Sequence, residues 1–79
     1  MTLDGFESGR QARIVAVDWP RLADDEGKRL RALGVDEGAE VAILHRGIFG
    51  TRDPLAIRLG AMTVALRRSH AAAIEVEPL

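Results

Sequence analysis

The 79-residue chain contains no cysteine, no tyrosine, three prolines and only three aromatic residues, Phe6, Trp19 and Phe49. The missing cysteines exclude disulfides and thiolate metal sites, and they fit a reducing compartment. With so few aromatics, a core has to be assembled from Ile, Val, Leu and Ala, and the stacking platforms that single-stranded nucleic acid uses are lacking. No apolar run approaches the roughly 20 residues that span a bilayer. The first ten residues carry Asp4 and Glu7 and no continuous apolar block, so a secretory signal is not expected. An excess of one charge sign is lacking too: eleven basic residues face twelve acidic ones, whereas a dedicated nucleic-acid binder carries a basic surplus. These absences leave one small cytoplasmic domain over residues 1–79. Its core is modest, because a chain of this size buries only about 60% of the surface it exposes when unfolded.

What is present is a succession of short apolar stretches punctuated by turns. Residues 12–17, Ala-Arg-Ile-Val-Ala-Val, read as a strand with Ile14 and Ala16 on one face and Arg13, Val15 and Val17 on the other. Residues 24–34 open with Asp24, Asp25 and Glu26, become basic and end on Gly34, the charge order and terminal glycine of a short helix. Leu30 and Leu33 share its buried side, Lys28, Arg29 and Arg31 point to solvent, and Gly27 weakens its first turn. A turn over residues 35–38 leads to a strand over 40–46, with Val41 and Ile43 on one face and Ala42 and Leu44 on the other.

Residues 55–59 give the cleanest alternation, Leu55, Ile57 and Leu59 inward and Ala56 and Arg58 outward. Gly60-Ala61 suits a type II′ hairpin turn, and Met62, Val64 and Leu66 are expected inward on the returning strand. One helical turn over 68–72 precedes a last strand with Ile74 and Val76 inward. Five short strands and one helix predict a mainly all-β chain curled into a small closed or nearly closed barrel, closure removing sheet edges that would invite aggregation.

The order of these signals is itself informative. Arg29-Leu30 is followed by Leu33-Gly34-Val35, then by the Glu37-Gly38 turn, then by a loop ending in Asp53-Pro54. Gly60 makes the next turn, Leu66-Arg67 ends the following strand, and Ala71 to Ala73 lead into Ile74-Glu75-Val76. From about Gly9 to Val76 this succession resembles the FeoA family, small cytoplasmic components of bacterial ferrous-iron uptake. Two positions depart from the family pattern: Glu37 stands where proline is usual, and Arg52 stands where glycine usually precedes Asp53-Pro54. The resemblance implies an SH3-like barrel of about five strands with one short inserted α-helix. It also implies a partner, the FeoB-type membrane GTPase. Similar barrels occur as the C-terminal domain of metal-dependent transcriptional repressors, so a peptide-binding accessory domain of that kind is the alternative.

Reactive constellations are missing. Ser69 adjoins His70, but sequence neighbours do not face each other as a nucleophile and base must. His45 and His70 stand 25 residues apart, which gives no metal-ligand spacing, and Asp24-Asp25-Glu26 is explained as the acidic start of a helix. Gly47-Ile48-Phe49-Gly50-Thr51 lacks the lysine of a phosphate loop. No enzyme activity, cofactor or metal site is therefore expected, and the chain is read as a binding protein.

Residues 46–52 are the most informative segment for binding. Ile48 and Phe49 are large apolar residues between two glycines, flanked by Arg46 and Arg52. Either they fold back to plug the barrel end or they anchor a partner; apolar centres ringed by arginine have the composition of interface hot spots. A groove near Leu30 and Leu44 is the expected continuation of that surface. Lys28, Arg29 and Arg31 form a second, basic candidate patch, and the outward Arg58 and Arg67 could hold an acidic peptide or a phosphate. Outer-face apolar residues such as Val15, Val17 and Leu44 allow self-association.

Overall fold

Strict alternation of apolar residues on either side of a glycine turn builds the hairpin at one side of the molecule, β3 (Leu55–Leu59) and β4 (Met62–Leu66). Gly60 has φ +62° and among the described residues only glycines have positive φ, so Ala61 is on the ordinary side and the turn is the expected II′ form. The computed structural model describes residues 1–46 and 53–79. In them the remaining elements are β1 (Gln11–Val17), α1 (Asp24–Leu33), β2 (Glu40–Arg46), α2 (Arg68–Ala71) and β5 (Ile74–Pro78). All strand pairs are antiparallel, in the order β4-β3-β2-β1-β5. The expected closure is not reached: among the described residues β4 and β5 do not pair, and the sheet keeps two edges.

Leu3, Ile14, Leu30, Val35, Ile43, Leu55, Ile57, Leu66 and Ile74 are fully buried and form the centre of one aliphatic core. Phe6 is its one wholly buried aromatic among the described residues, and no polar or charged residue is buried with it. The core therefore depends on shape and area rather than on internal polar networks. The N-terminal segment, in which the sequence reading found no element, belongs to it. A short 3₁₀ turn over Leu3–Gly5 drives Leu3 and Phe6 inward, and the Val76 N–H donates to the Met1 carbonyl at 2.8 Å.

Two β-bulges correct the expected side-chain faces. In β1 the register against β5 slips between Ile14 and Ala16, so Ala16 is exposed and Val17 packs against the core, the reverse of strict alternation. In β2 the slip lies between Ile43 and His45, and Leu44 is half-buried. Ala42 and Ala56, expected on the outer face, are buried, whereas Met62, expected inward, is 43% exposed at the turn end of β4.

Candidate partner-binding surface

The helix α1 holds its position through one side chain and one terminus. Gly34 takes a left-handed conformation with φ +107°, its N–H donates to the Arg31 carbonyl, and the Val35 N–H reaches back to the Leu30 carbonyl at 3.0 Å. This is a Schellman end, and its accompanying apolar contact is made by Leu30 and Val35, both fully buried. Leu30 is thus a core residue with no exposed surface, which corrects its expected role in partner contact. The exposed side of α1 remains open for binding.

That exposed side meets Trp19, which sits half-buried in the 3₁₀ turn Trp19–Arg21. The Arg31 guanidinium lies over the indole, 4.2 Å from the ring centroid. Beside them opens a shallow groove of about 190 Å³ walled by Trp19, Leu22, Asp24, Gly27, Lys28 and Arg31. Sequence reading found the basic residues of this groove but not its aromatic wall, because Trp19 belongs to a separate turn and no periodicity links it to the helix.

The basic patch is narrower than the sequence suggests. Nε and Nη2 of Arg29 both donate to Glu26 Oε1, at 3.1 and 2.6 Å, so Arg29 is committed to its own helix. Arg29 holds the Glu26 carboxyl below the ordinary glutamate range; burial opposes this, and His70 and Arg67 add to it. His70 of α2 brings Nδ1 to 3.5 Å from the same Oε1, and that nitrogen is buried without a hydrogen-bond partner. Ser69 is exposed beside it. The group Glu26–Arg29–His70 draws α1 and α2 together and holds no nucleophile.

The other predicted residues are distributed differently. Leu44 is half-buried at the bulge of β2. Arg46 ends β2 and pairs through its backbone with Leu55. Ile48, Phe49 and Arg52 lie outside the described residues. The Asp53 carboxylate accepts the N–H of Arg68 at the start of α2. Among the described residues no three His, Asp or Glu side chains gather as a metal site, and no helix is long and apolar enough to cross a membrane.

The family model of the FeoA domain matches residues 1–78. The chain belongs to the FeoA family. Its fold superposes on iron(II) transport protein A from Clostridium thermocellum with a TM-score of 0.84 at 26% identity, covering 100% of this chain and 46% of that one. The chain thus spans just under half the length of that relative. Stenotrophomonas maltophilia FeoA, solved with zinc and described as a procaryotic SH3 domain protein, gives a TM-score of 0.77 at 32% identity, with 98% and 89% of the two chains covered. A manganese-dependent transcriptional repressor shares the fold, with a TM-score of 0.76 at 18% identity over all of this chain and 41% of the repressor. Among curated protein sequences no relative matches. The FeoA assignment agrees with the succession of motifs in the sequence, and the small five-stranded, SH3-like fold with one inserted helix is the one that succession implies. The FeoA motif residues fall where the fold uses them: Gly34 ends α1, Gly60 turns the hairpin and Asp53 caps α2.

Proposed function

We propose that the chain is a small cytoplasmic accessory protein of bacterial ferrous-iron uptake that acts by contact with an FeoB-type membrane GTPase and not by catalysis. The observation that carries this reading is the FeoA-domain match over residues 1–78. The relative from Clostridium thermocellum is an iron(II) transport protein, and the one from Stenotrophomonas maltophilia has been put forward as a ferrous iron transport activating factor. The surface supports a binding role: the Trp19–Arg31 groove offers an aromatic wall beside two cations. Ferrous iron is then cargo handled by the partner, and nucleotide hydrolysis belongs to the partner as well.

Capture of the FeoB cytosolic GTP-binding domain by the purified chain tests this. Phe49→Ala is expected to weaken capture while leaving the melting temperature nearly unchanged, and Trp19→Ala to weaken it through the groove. Equal capture by Phe49→Ala with a large fall in melting temperature would assign Phe49 to the core. Failure of the unaltered chain to capture FeoB would end the reading.

A further inference from the structure

We propose that the free edge of β4 is a docking strand for an extended partner segment in which acidic and apolar residues alternate. The inference stands on the edge and its charges alone, and holds whichever protein the chain serves.

β4 pairs with β3 through an unbroken register, Leu59 with Met62, Arg58 with Thr63, Ile57 with Val64, Ala56 with Ala65 and Leu55 with Leu66. In a two-residue hairpin the pair next to the turn exchanges both hydrogen bonds, and bonded pairs then alternate along the ladder. Met62, Val64 and Leu66 therefore turn their backbone groups toward β3, while Thr63 and Ala65 turn theirs outward. Among the described residues no other backbone group meets them.

Natural sheets guard such an edge with charge, proline, a bulge or a cover. The opposite edge of this sheet shows all but the bulge on its outer strand. Glu75, Glu77 and Pro78 lie in β5, Val76 donates to the Met1 carbonyl, and Thr2 bridges Glu75. The segment Met-Thr-Val-Ala-Leu of β4 has no charge, proline or bulge, and no described residue pairs with its outer side. Among the described residues one edge is closed and the other is open.

The surroundings of the open edge select its occupant. Thr63 and Ala65 are exposed on the face that also carries Arg58, opposite Thr63, and Arg67, two residues past Ala65. Neither arginine lies within ion-pair distance of a described acid, and Arg67 acts on Glu26 only from farther away. The other face presents Met62, 43% exposed, followed by the nearly buried Val64. A strand laid along β4 sends alternate side chains to these two faces. Acidic residues meet Arg58 and Arg67, and apolar residues extend the row begun by Met62. A second copy pairing through its own β4 would bring no acid to the arginines and would set four of them on one continuous sheet face.

The test uses the isotopically labelled full chain and a synthetic eight-residue peptide that alternates glutamate with valine or isoleucine. Binding is expected to shift the amide signals of Thr63 and Ala65 most. It should slow their hydrogen exchange roughly tenfold or more, with little change at Val64 and Leu66, which already bond to β3. Arg58→Gln and Arg67→Gln should each weaken binding by roughly two- to fivefold at low salt. Ala65→Pro removes an outward N–H without touching a β3 bond and should abolish binding while the remaining spectrum stays native. The proposal is overturned by any of three results: no binding at millimolar peptide, equal binding of a peptide with glutamine in place of glutamate, or shifts centred on the Trp19 groove. It is also overturned if Thr63 and Ala65 become protected without peptide as protein concentration rises, because the edge would then serve self-association.

Discussion

Arg31 and Trp19 come from different elements, and their stacking, at 4.2 Å from guanidinium carbon to ring centroid, clips the 3₁₀ turn after β1 to the exposed side of α1. A cation–π pair at an exposed site contributes about 0.5–1 kcal/mol. Arg31→Ala should lower stability by that amount in urea titration. It should also shift the emission of Trp19, the chain's single tryptophan, in the folded state. Arg31→Lys should retain part of the stability, since the ammonium keeps the charge and loses the flat stacking surface.

Gly27 lies in α1 directly against that indole. A Cβ built there would sit 3.6 Å from Trp19 Cε3, an ordinary van der Waals separation, and the backbone is helical. Gly27→Ala is therefore expected to stabilise the protein by up to about 1 kcal/mol through the lost freedom of the unfolded chain. A higher melting temperature with unchanged Trp19 emission is the predicted result; a lower one would mean that the turn cannot accommodate the methyl group.

Gly34 is the opposite case. A Cβ there would have room, 3.7 Å from Leu59 Cδ2, but the Gly34 φ of +107° is one that side chains rarely adopt. Gly34→Ala should cost about 1–2 kcal/mol, and the loss should appear as fraying of the last turn of α1 in amide exchange.

The lowered pKa of Glu26 fixes the sign of an acid dependence. Arg29, through its hydrogen bonds, stabilises the ionised carboxylate in the folded chain. The stabilisation is thus complete above the ordinary glutamate range and is lost as pH falls through the depressed folded value. The stability difference between the unaltered protein and Glu26→Gln should be level from neutral pH down to about 5 and shrink on further acidification. Denaturant midpoints measured from pH 7 to pH 2 check it; a difference that grows toward acid would reverse the sign and remove Arg29 as the cause.

Leu30→Ala separates core from contact. With the side chain fully buried against Val35, truncation should cost about 2–5 kcal/mol. The fraction that remains folded should bind any partner of the exposed α1 side as tightly as before, measured by titration below the melting transition.

The parts of the fold that could be read from the sequence are those in which pairing follows the chain's own alternation. Leu55, Ile57 and Leu59 point inward as expected because no bulge interrupts the β3–β4 register. The helix announced itself through its acidic start and Gly34. The faces of β1 and β2 could not be read beyond Ile14 and Ile43, since a bulge is set by the neighbouring strand and leaves no mark in local composition. Leu3 and Phe6 were missed for a related reason: two apolar residues among polar ones show no period, and only tertiary packing brings them into the core. At the candidate surface the charges were legible one by one. The pairing of Arg29 with Glu26 and the approach of Trp19 to α1 were not, because both depend on which side of a helix meets which turn.

The slips at Val15 and Leu44 each let one strand carry a residue more than its neighbour while the pairs beyond keep their register. Such places absorb the loss of one amino acid by straightening the chain and a gain by widening the bulge, whereas the same change in β3 would turn Leu55, Ile57 and Leu59 out of the core together. Relatives that differ from this chain in strand length should accordingly carry their single-residue insertions and deletions at those two points, and directed shortening of the protein should begin there.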